Sequence, residues 1–387
     1  MDTRADFPIL QKVTYLDSAA TSLTPLQVLT AMDEYYQEYR ASPHRGAYAN
    51  ARRATDRYEE SKSKVSKFVN CKTENVIYTK NATESLNFVA LGTEFNEKSN
   101  VVTTVTEHHS NFLPWLALKQ KNAIKDLRVA PLADTEEPNF GEVCNLIDDN
   151  TSIVAVSLAS NVLGNVADVQ KVVKTAHAHG AKVVVDAAQF IGHHALDCKK
   201  LGADFVAFSG HKMLGPTGIG VLIANEKLTP PLYGGGTVRN VTLDSFELLP
   251  GYESFEAGTQ NTAGAIGLAS AVDYIQKIGV SNIEKHNANL TQKLYQRLVE
   301  MECNVYGPKE RKGSLVAFNL RGVKFSEVAS YLDSLSNVAV RAGHHCAIPL
   351  TRALNIPGSV RASVHVYNNE NDVEKFAEGI RQIKKLS

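Results

Sequence analysis

Asp204-Phe205-Val206-Ala207-Phe208-Ser209-Gly210-His211-Lys212 is the stretch that decides the fold, and the glycine-rich turn Gly215-Pro216-Thr217-Gly218-Ile219-Gly220 follows it. Lys212 comes just past an apolar strand, beside a hydroxyl and an imidazole. Pyridoxal phosphate needs such an amine for a Schiff base and small polar groups for its phosphate. From this stretch alone, a solvated lysine at an ordinary strand-to-turn corner is the alternative, because short motifs also occur by chance.

Strands and helices alternate on both sides of this stretch, from residue 75 to about residue 225. Short apolar, β-rich segments predict strands at Val76–Tyr78, Val101–Thr106, Ile153–Leu158, Lys182–Val185, Asp204–Phe208 and Gly220–Ala224. Between them, helical periodicity covers Glu84–Phe95, Asn111–Lys121 and Asp168–His179. This order predicts an α/β fold with a mostly parallel, seven-stranded-type sheet covered by helices. Ligands of such sheets bind beyond the carboxyl ends of the strands.

The pattern changes after Thr262, where a long helical region runs to about Met301. It is followed by a predicted strand, helix, strand, strand and helix at Ser314–Leu320, Phe325–Leu335, Val338–Arg341, Val360–Tyr367 and Asp372–Lys385. We therefore expect two domains. Residues 14–275 would form a large cofactor-binding domain, and residues 1–13 with 276–387 a smaller α/β domain.

Composition argues against several classes of function. The 41 Lys and Arg residues balance 41 Asp and Glu residues, which leaves no electrostatic footprint for nucleic acid or an anionic membrane. The longest apolar segment, Ala263–Ile278, is broken by Asp273, so we expect no membrane span, and the acidic start is unlike a secretory signal. The 5 cysteines are scattered without metal-ligand spacing, which predicts reduced thiols in a cytoplasmic protein.

Several polar residues follow predicted strands. Asp186 ends a buried strand, where a carboxylate is costly unless it meets a cation such as a pyridinium. At about 4 Å and an effective dielectric near 20, such a pair gains roughly 4 kcal/mol. Thr83 begins a helix whose free N–H groups suit a phosphate, and His108 could stack on a flat ring or move a proton. Asn161 could donate to a ligand oxygen. Plain helix caps, a structural histidine and an Asn turn remain the alternatives.

A second signal lies in Arg341-Ala342-Gly343-His344-His345-Cys346-Ala347-Ile348-Pro349. A cysteine beside an arginine and two histidines is in an electropositive setting, which favours a reactive thiolate. A metal site is the rival interpretation, although adjacent residues of an extended loop rarely converge on one ion. Arg361, on a predicted strand, is suited to bidentate capture of a carboxylate or, alternatively, to a surface ion pair.

Taken together, these residues resemble the class V, fold-type I pyridoxal phosphate enzymes and, within them, the group II cysteine desulfurases of the Suf/Csd type. The resemblance covers nearly the whole chain. Its motifs are Tyr15-Leu16-Asp17-Ser18-Ala19-Ala20, His44-Arg45-Gly46, Ala82-Thr83-Glu84, Glu107-His108-His109, Ser160-Asn161, Asp186-Ala187-Ala188-Gln189, Ser209-Gly210-His211-Lys212, Phe255-Glu256-Ala257-Gly258-Thr259, Arg341 to Cys346 and Arg361-Ala362-Ser363.

The resemblance implies roles for these residues. Lys212 would bind the cofactor covalently, Asp186 would hold its pyridine nitrogen, and His108 would stack on its ring. The remaining cofactor-binding residues would be Gln189 and Asn161 near the phenolic oxygen, and Thr83, Ser209, His211 and the partner subunit's Thr259 at the phosphate. Arg361 would bind the substrate carboxylate, and the other substrate-binding residues would be Asn161, Arg341 and His44.

The resemblance also implies a function. A homodimer would convert L-cysteine to L-alanine, and the sulfur would remain on Cys346 as a persulfide. A sulfur-acceptor or cluster scaffold protein would then collect it for iron–sulfur cluster assembly or a related pathway. Because Pro349 and Pro357 restrict the loop after Cys346, we expect that acceptor to come to the site. A selenocysteine lyase, or a pyridoxal phosphate-fold partner protein in a sulfur-transfer complex, is the alternative.

Overall fold

A computed structural model describes residues 3–386 of the chain. The strands of this part are β1 Thr14–Tyr15, β2 Val76–Thr79, β3 Asn100–Thr104, β4 Asp126–Ala130, β5 Thr151–Ser157, β6 Lys182–Asp186, β7 Phe205–Ser209, β8 Gly220–Ala224, β9 Val238–Val241, β10 Phe246–Leu248, β11 Asn304–Tyr306, β12 Leu315–Asn319, β13 Val338–Ala339, β14 Arg341–Gly343 and β15 Ser359–Ser363. The α-helices are α1 Leu26–Glu38, α2 Ala49–Phe68, α3 Ala82–Gly92, α4 Leu113–Gln120, α5 Phe140–Leu146, α6 Gln170–Ala178, α7 Cys198–Leu201, α8 Thr262–Ile278, α9 Val280–Glu300, α10 Phe325–Ser336, α11 Ile348–Ala353 and α12 Glu370–Leu386.

A seven-stranded sheet in the order β2-β8-β7-β6-β5-β3-β4 organises the larger part of the molecule. Strand β8 runs antiparallel to its neighbours β2 and β7, and the remaining pairs are parallel. The α/β class and the mostly parallel sheet predicted from the sequence are therefore confirmed.

The central strands are apolar through their middle because helices cover both faces of this sheet. In β6, Val183 and Val185 enter the hydrophobic cluster on one face, and Val184 enters the cluster on the other. This alternation follows from the two-residue period of a strand. Each of these valines is fully buried, which contributes roughly 1.5–3 kcal/mol per side chain. The rigid strands in turn fix the positions of the residues at their ends.

A smaller antiparallel sheet, in the order β11-β12-β15-β14, lies in the C-terminal part. Helices α9, α10 and α12 supply the residues of its core, among them Leu294, Leu332 and Phe376. The N-terminal segment contacts both cores: Phe7 belongs to the cluster of the large sheet, and Leu16 to the cluster of the small one. The division into residues 14–275 and 1–13 with 276–387 stays a prediction.

The structure differs from the sequence prediction mainly at an edge strand of the large sheet and at two predicted elements that are interrupted. Strand β4, at one end of the large sheet, was not predicted, because the polar Asp126 and Arg128 hide its pattern. The long helical region is broken at Gly279, whose φ of +88° no helix accommodates. The predicted strand Val338–Arg341 is two strands, since β13 pairs with β1 and β14 with β15.

Helices α1, α2 and α5 and the β9–β10 hairpin were likewise absent from the prediction. Across residues 3–386, no helix combines the length and apolar character required to cross a membrane.

Candidate active site

A cavity of about 180 Å³ lies at the carboxyl ends of the parallel strands. The register of the sheet brings these ends together: Ser157 at the end of β5 lies opposite Asp186 at the end of β6, and Asp186 lies opposite Ala207 on β7. The cavity is lined by Ala19, Ala20, Asn81, Ala82, Thr83, His108, Ser110, Ser157, Ala159, Asn161, Asp186, Ala188, Gln189, Ser209, His211, Lys212, Arg341 and Arg361. Most of the predicted site residues therefore share one cavity.

One end of the cavity is suited to a phosphate. It contains the N-terminus of helix α3, where Thr83 lies in the first turn and Asn81 caps the helix by accepting from the Glu84 amide at 3.0 Å. Ser209 Oγ accepts from the Ala82 amide at 2.8 Å, which leaves its hydroxyl proton available to a ligand. Free N–H groups and hydroxyls at a helix N-terminus are favourable partners for an anion.

Gly220, the first residue of β8, permits this arrangement. A Cβ atom there would lie 2.4 Å from the Cα of Asn81, a separation that real Cβ atoms do not show. The glycine therefore lets the sheet approach the N-terminus of α3, and this brings Ser209 within reach of the Ala82 amide.

Asp186 and Lys212 both line the cavity, and the charge of each affects the pKa of the other. Burial raises the pKa of Asp186, while the Ala188 amide, which donates to Oδ1 at 2.8 Å, and the charge of Lys212 oppose that rise. Burial lowers the pKa of Lys212 to about 8, although Asp186 favours its charged form. Within residues 3–386, no hydrogen bond engages Lys212 Nζ. A buried acid and a half-buried amine without a hydrogen-bond partner among those residues together suit a cationic ring that also requires a covalent link.

His108 lies on the wall of the cavity in a defined orientation. Its Nδ1 accepts from the Ser110 amide at 3.1 Å, so the neutral ring carries its proton on Nε2. Burial, and then the charge of Lys212, lowers the pKa of His108 to about 3, which keeps the ring neutral.

Gln189 also lines the cavity. Its Nε2 donates to the Ala19 carbonyl at 2.8 Å, a bond that does not involve its amide oxygen.

Arg361, on β15, brings a fully buried guanidinium to the cavity. Nη1 donates to the Asn161 carbonyl at 2.9 Å and Nη2 to Asp17 Oδ1 at 3.2 Å, whereas Nε has no partner among the described residues. Burial lowers the pKa of Arg361 to about 10 and raises the pKa of Asp17. A buried arginine with an open donor suits a carboxylate ligand.

Cys346 does not line this cavity, but its thiol contacts Arg341, which does. Arg341, which lines the cavity, donates through Nη2 to Cys346 Sγ at 3.3 Å. Asn161 Nδ2 donates to the His345 carbonyl at 2.6 Å, so the loop before the cysteine is tied to the residue that holds Arg361. The segment after Cys346, predicted as a loop, contains the short helix α11 with Pro349 in its first turn.

No group of three or more His, Cys, Asp or Glu residues between positions 3 and 386 could hold a metal ion.

His44 and Thr259 do not line this cavity. His44 Nε2 lies 3.2 Å from Glu59 Oε1, and Thr259 lies exposed in a separate groove beside Lys80 and Glu256. Their predicted roles at substrate and phosphate therefore have no counterpart within one protomer and stay predictions.

The sequence reasoning assigned no role to Ser110, Asp17 or Glu107. Ser110 Oγ lies 2.7 Å from Thr83 Oγ1 and 3.0 Å from His108 Nδ1, so it joins the N-terminus of α3 to His108. Asp17 is the carboxylate partner of Arg361. Glu107 accepts from Thr104, Asn111 and Ser157, and burial raises its pKa to about 7. The sequence pointed to these residues only in that Asp17 and Glu107 lie within the motifs quoted above and Ser110 follows one of them.

Comparisons with known proteins agree with this geometry. The chain matches the family described as aminotransferase class-V over residues 14–376. It is 45% identical to a probable cysteine desulfurase of Pyrococcus abyssi, with 99% of this chain and 97% of that protein covered.

Two solved structures are also similar. The apo structure of a cysteine desulfurase from Thermococcus onnurineus is 43% identical, with a TM-score of 0.96 and coverage of 100% of this chain and 98% of that one. The cysteine desulfurase CsdA (S-sulfonic acid) from Escherichia coli is 34% identical, with a TM-score of 0.92 and coverage of 99% and 98%.

Proposed function

Because this chain belongs to the class-V aminotransferase family and, within it, to the cysteine desulfurases of the Suf/Csd type, we propose that it converts L-cysteine to L-alanine and keeps the sulfur on Cys346. One observation carries the proposal. Lys212 and Asp186 line one cavity, and the Cys346 thiol lies against Arg341, which lines the same cavity.

The residues of the cavity fit pyridoxal phosphate. Asp186 offers a buried carboxylate to a pyridinium nitrogen, Lys212 an amine, and Thr83 and Ser209 hydroxyls to a phosphate at the N-terminus of α3. When bound, pyridoxal phosphate supplies an electron sink that stabilises negative charge at the Cα atom of an amino acid.

The chain's own residues perform the other tasks. Arg361 would bind the substrate carboxylate through its guanidinium group, and His108 would pack on the face of the cofactor ring. Lys212 Nζ accepts the proton from the substrate Cα, for which a pKa of about 8 suits it. The low pKa of His108 keeps a neutral ring against the cofactor.

Cys346 then takes the sulfur. Its thiolate attacks the sulfur atom of L-cysteine, an S–S bond forms, and the C–S bond breaks with its electron pair left on carbon. Lys212 returns the proton to Cα, and the proton lost by the Cys346 thiol balances the one gained at Cβ. L-cysteine and a thiol thus become L-alanine and a persulfide, so no external oxidant is required.

The direct test is to incubate the purified, cofactor-loaded protein with L-cysteine under reducing conditions. We expect a yellow protein that forms alanine and sulfide in equal amounts. Sulfide accompanied by pyruvate instead of alanine would indicate elimination and contradict the proposal.

A selenocysteine lyase activity on the same residues is the second candidate. It would use the same carboxylate clamp and proton transfer, but a selenol departs more easily and has less need of Cys346. The ratio of cysteine to selenocysteine turnover, with and without the Cys346 thiol, separates the two.

The free cysteines of the chain are compatible with a reducing compartment, and the cytoplasm is the location we propose.

Replacing Arg361 with lysine should weaken substrate binding. Lysine keeps the charge but loses the planar fork, and loss of one charged hydrogen bond costs roughly 1.5–3 kcal/mol. We therefore expect KM for L-cysteine to rise about tenfold or more, with a smaller change in kcat. Arg381→Lys, on the exposed face of α12, is the matched control. An unchanged KM would show that Arg361 serves only Asp17 and the Asn161 carbonyl.

Thr259 leads to a prediction about assembly. It is exposed, and Glu256, three residues before it, anchors the segment by accepting from the Tyr78 amide at 2.7 Å and pairing with the buried Lys62. If Thr259 completes the phosphate site of a second subunit, the protein is a homodimer, and Thr259→Val should bind cofactor about tenfold more weakly. Light scattering and cofactor titration on dilution test this. A monomer that retains full cofactor would contradict it.

A further inference from the structure

We propose that His109 is a positioning residue, which holds the Cys346 loop (His344–Ala347) in the geometry that sulfur transfer requires. This inference rests on the proposed function and assigns a role to a side chain that does not line the cofactor cavity.

Two hydrogen bonds of His109 hold the chain at the cysteine and just after it. The His109 amide donates to the Cys346 carbonyl at 2.7 Å, and His109 Nε2 accepts from the Ile348 amide at 3.1 Å. Ile348 is the first residue of α11, where an amide has no acceptor inside its own helix. His109, in the segment that follows strand β3, therefore holds the backbone at the Cys346 carbonyl and again two residues later.

The loop needs such support because its backbone is strained. His345 and Cys346 have φ angles of +53° and +57°, in the left-handed region that residues with a Cβ avoid. Such conformations persist only where the surroundings hold them. Asn161 fixes the His345 carbonyl from one side, and His109 fixes the residues that follow from the other. In this conformation, Cys346 Sγ points to Arg341, which lines the cavity.

The imidazole must be neutral to accept at Nε2. Burial and the nearby His344 lower the pKa of His109, so its ring stays neutral at pH 7. Its neighbour His108, whose ring centre lies 6.3 Å away, is on the wall of the cofactor cavity. His109 thus links the Cys346 loop to its neighbour His108, the residue that would pack on the cofactor.

The test compares His109→Leu, which removes the acceptor, with His109→Gln, whose amide oxygen can take the place of Nε2. In the leucine variant we expect kcat for alanine formation and the single-turnover rate of sulfur transfer to Cys346 to fall about tenfold, while KM for L-cysteine changes less than about twofold. The glutamine variant should recover most of the rate. His179→Leu, which removes a histidine bound to Asp149 on the surface, is the matched control and should match the parent.

Amide hydrogen exchange of residues 344–353 supplies a second measurement that needs no turnover. We expect faster exchange in His109→Leu than in the parent or in His109→Gln. Parent-like transfer and exchange in the leucine variant, or equal losses in both variants, would overturn the role of His109. If the parent itself places no sulfur on Cys346, the proposed function fails, and the exchange data alone decide whether His109 holds the loop.

Discussion

Lys212→Ala is expected to abolish the visible absorption of the bound cofactor and to lower alanine formation by about 10³-fold or more, since a positioned proton-transfer group alone contributes about 10²–10⁴-fold. Lys212 lies in the turn that follows β7, and its Nζ makes no hydrogen bond within the described residues. Burial lowers its pKa to about 8, so a sizeable neutral fraction is available at pH 7–8 as nucleophile and base.

The fold should survive this substitution. The neighbouring contacts involve the backbone, since the His211 carbonyl accepts from the Ser22 amide at 2.8 Å. We expect a Tm within a few degrees of the parent, because a change near 1 kcal/mol shifts Tm by only about 1 °C in a chain of this size. Lys277→Ala, on the exposed face of α8, is the control. Retained turnover or visible absorption in the Lys212 variant would overturn the assignment of the cofactor.

Cys346→Ala is expected to stop alanine formation from L-cysteine while the visible absorption stays as in the parent. The Cys346 thiol lies against Arg341, a residue that lines the cavity, and that cation stabilises the negative charge of the thiolate. Some selenocysteine turnover should remain, since a selenol is the better leaving species. Cys346→Ser, which keeps the size of the side chain but not its nucleophilic sulfur, should fail in the same way.

Mass spectrometry after brief exposure to L-cysteine locates the transferred sulfur. We expect one added sulfur on Cys346, which should also be the fastest cysteine to alkylate. Burial raises the pKa of Cys71 to about 12 and of Cys303 to about 11, and it raises the pKa of Cys198 as well. Added sulfur on Cys71, Cys144, Cys198 or Cys303, or desulfuration by the alanine variant at the parent rate, would favour direct expulsion of sulfide.

Much of the large sheet could be predicted because its central strands are buried on both faces. The segments around Val184 and Val206 are continuous apolar runs, and such runs remain visible in a single sequence. Strand β4 pairs on only one side, with β3, and the half-buried Asp126 and Arg128 interrupt its apolar residues, so a continuous apolar run is absent there.

The sequence by itself determined the α/β class and the set of residues with the required chemistry: Lys212 and Asp186 after strands, Arg361 on a strand and Cys346 in a loop. Residue type and local pattern suffice for that, because an amine, a carboxylate or a thiol has the same chemistry in any fold.

Only the tertiary structure decided which groups act on one another. Arg361 meets Asp17 across 344 positions of the chain, His109 meets the Ile348 amide across 239, and His44 lies apart from the cavity altogether. Such pairs depend on the strand register and on how the small sheet packs beside the large one. The register and the packing of the sheets cannot be predicted from a local stretch of sequence, because the free energy that determines them is spread over the whole buried core.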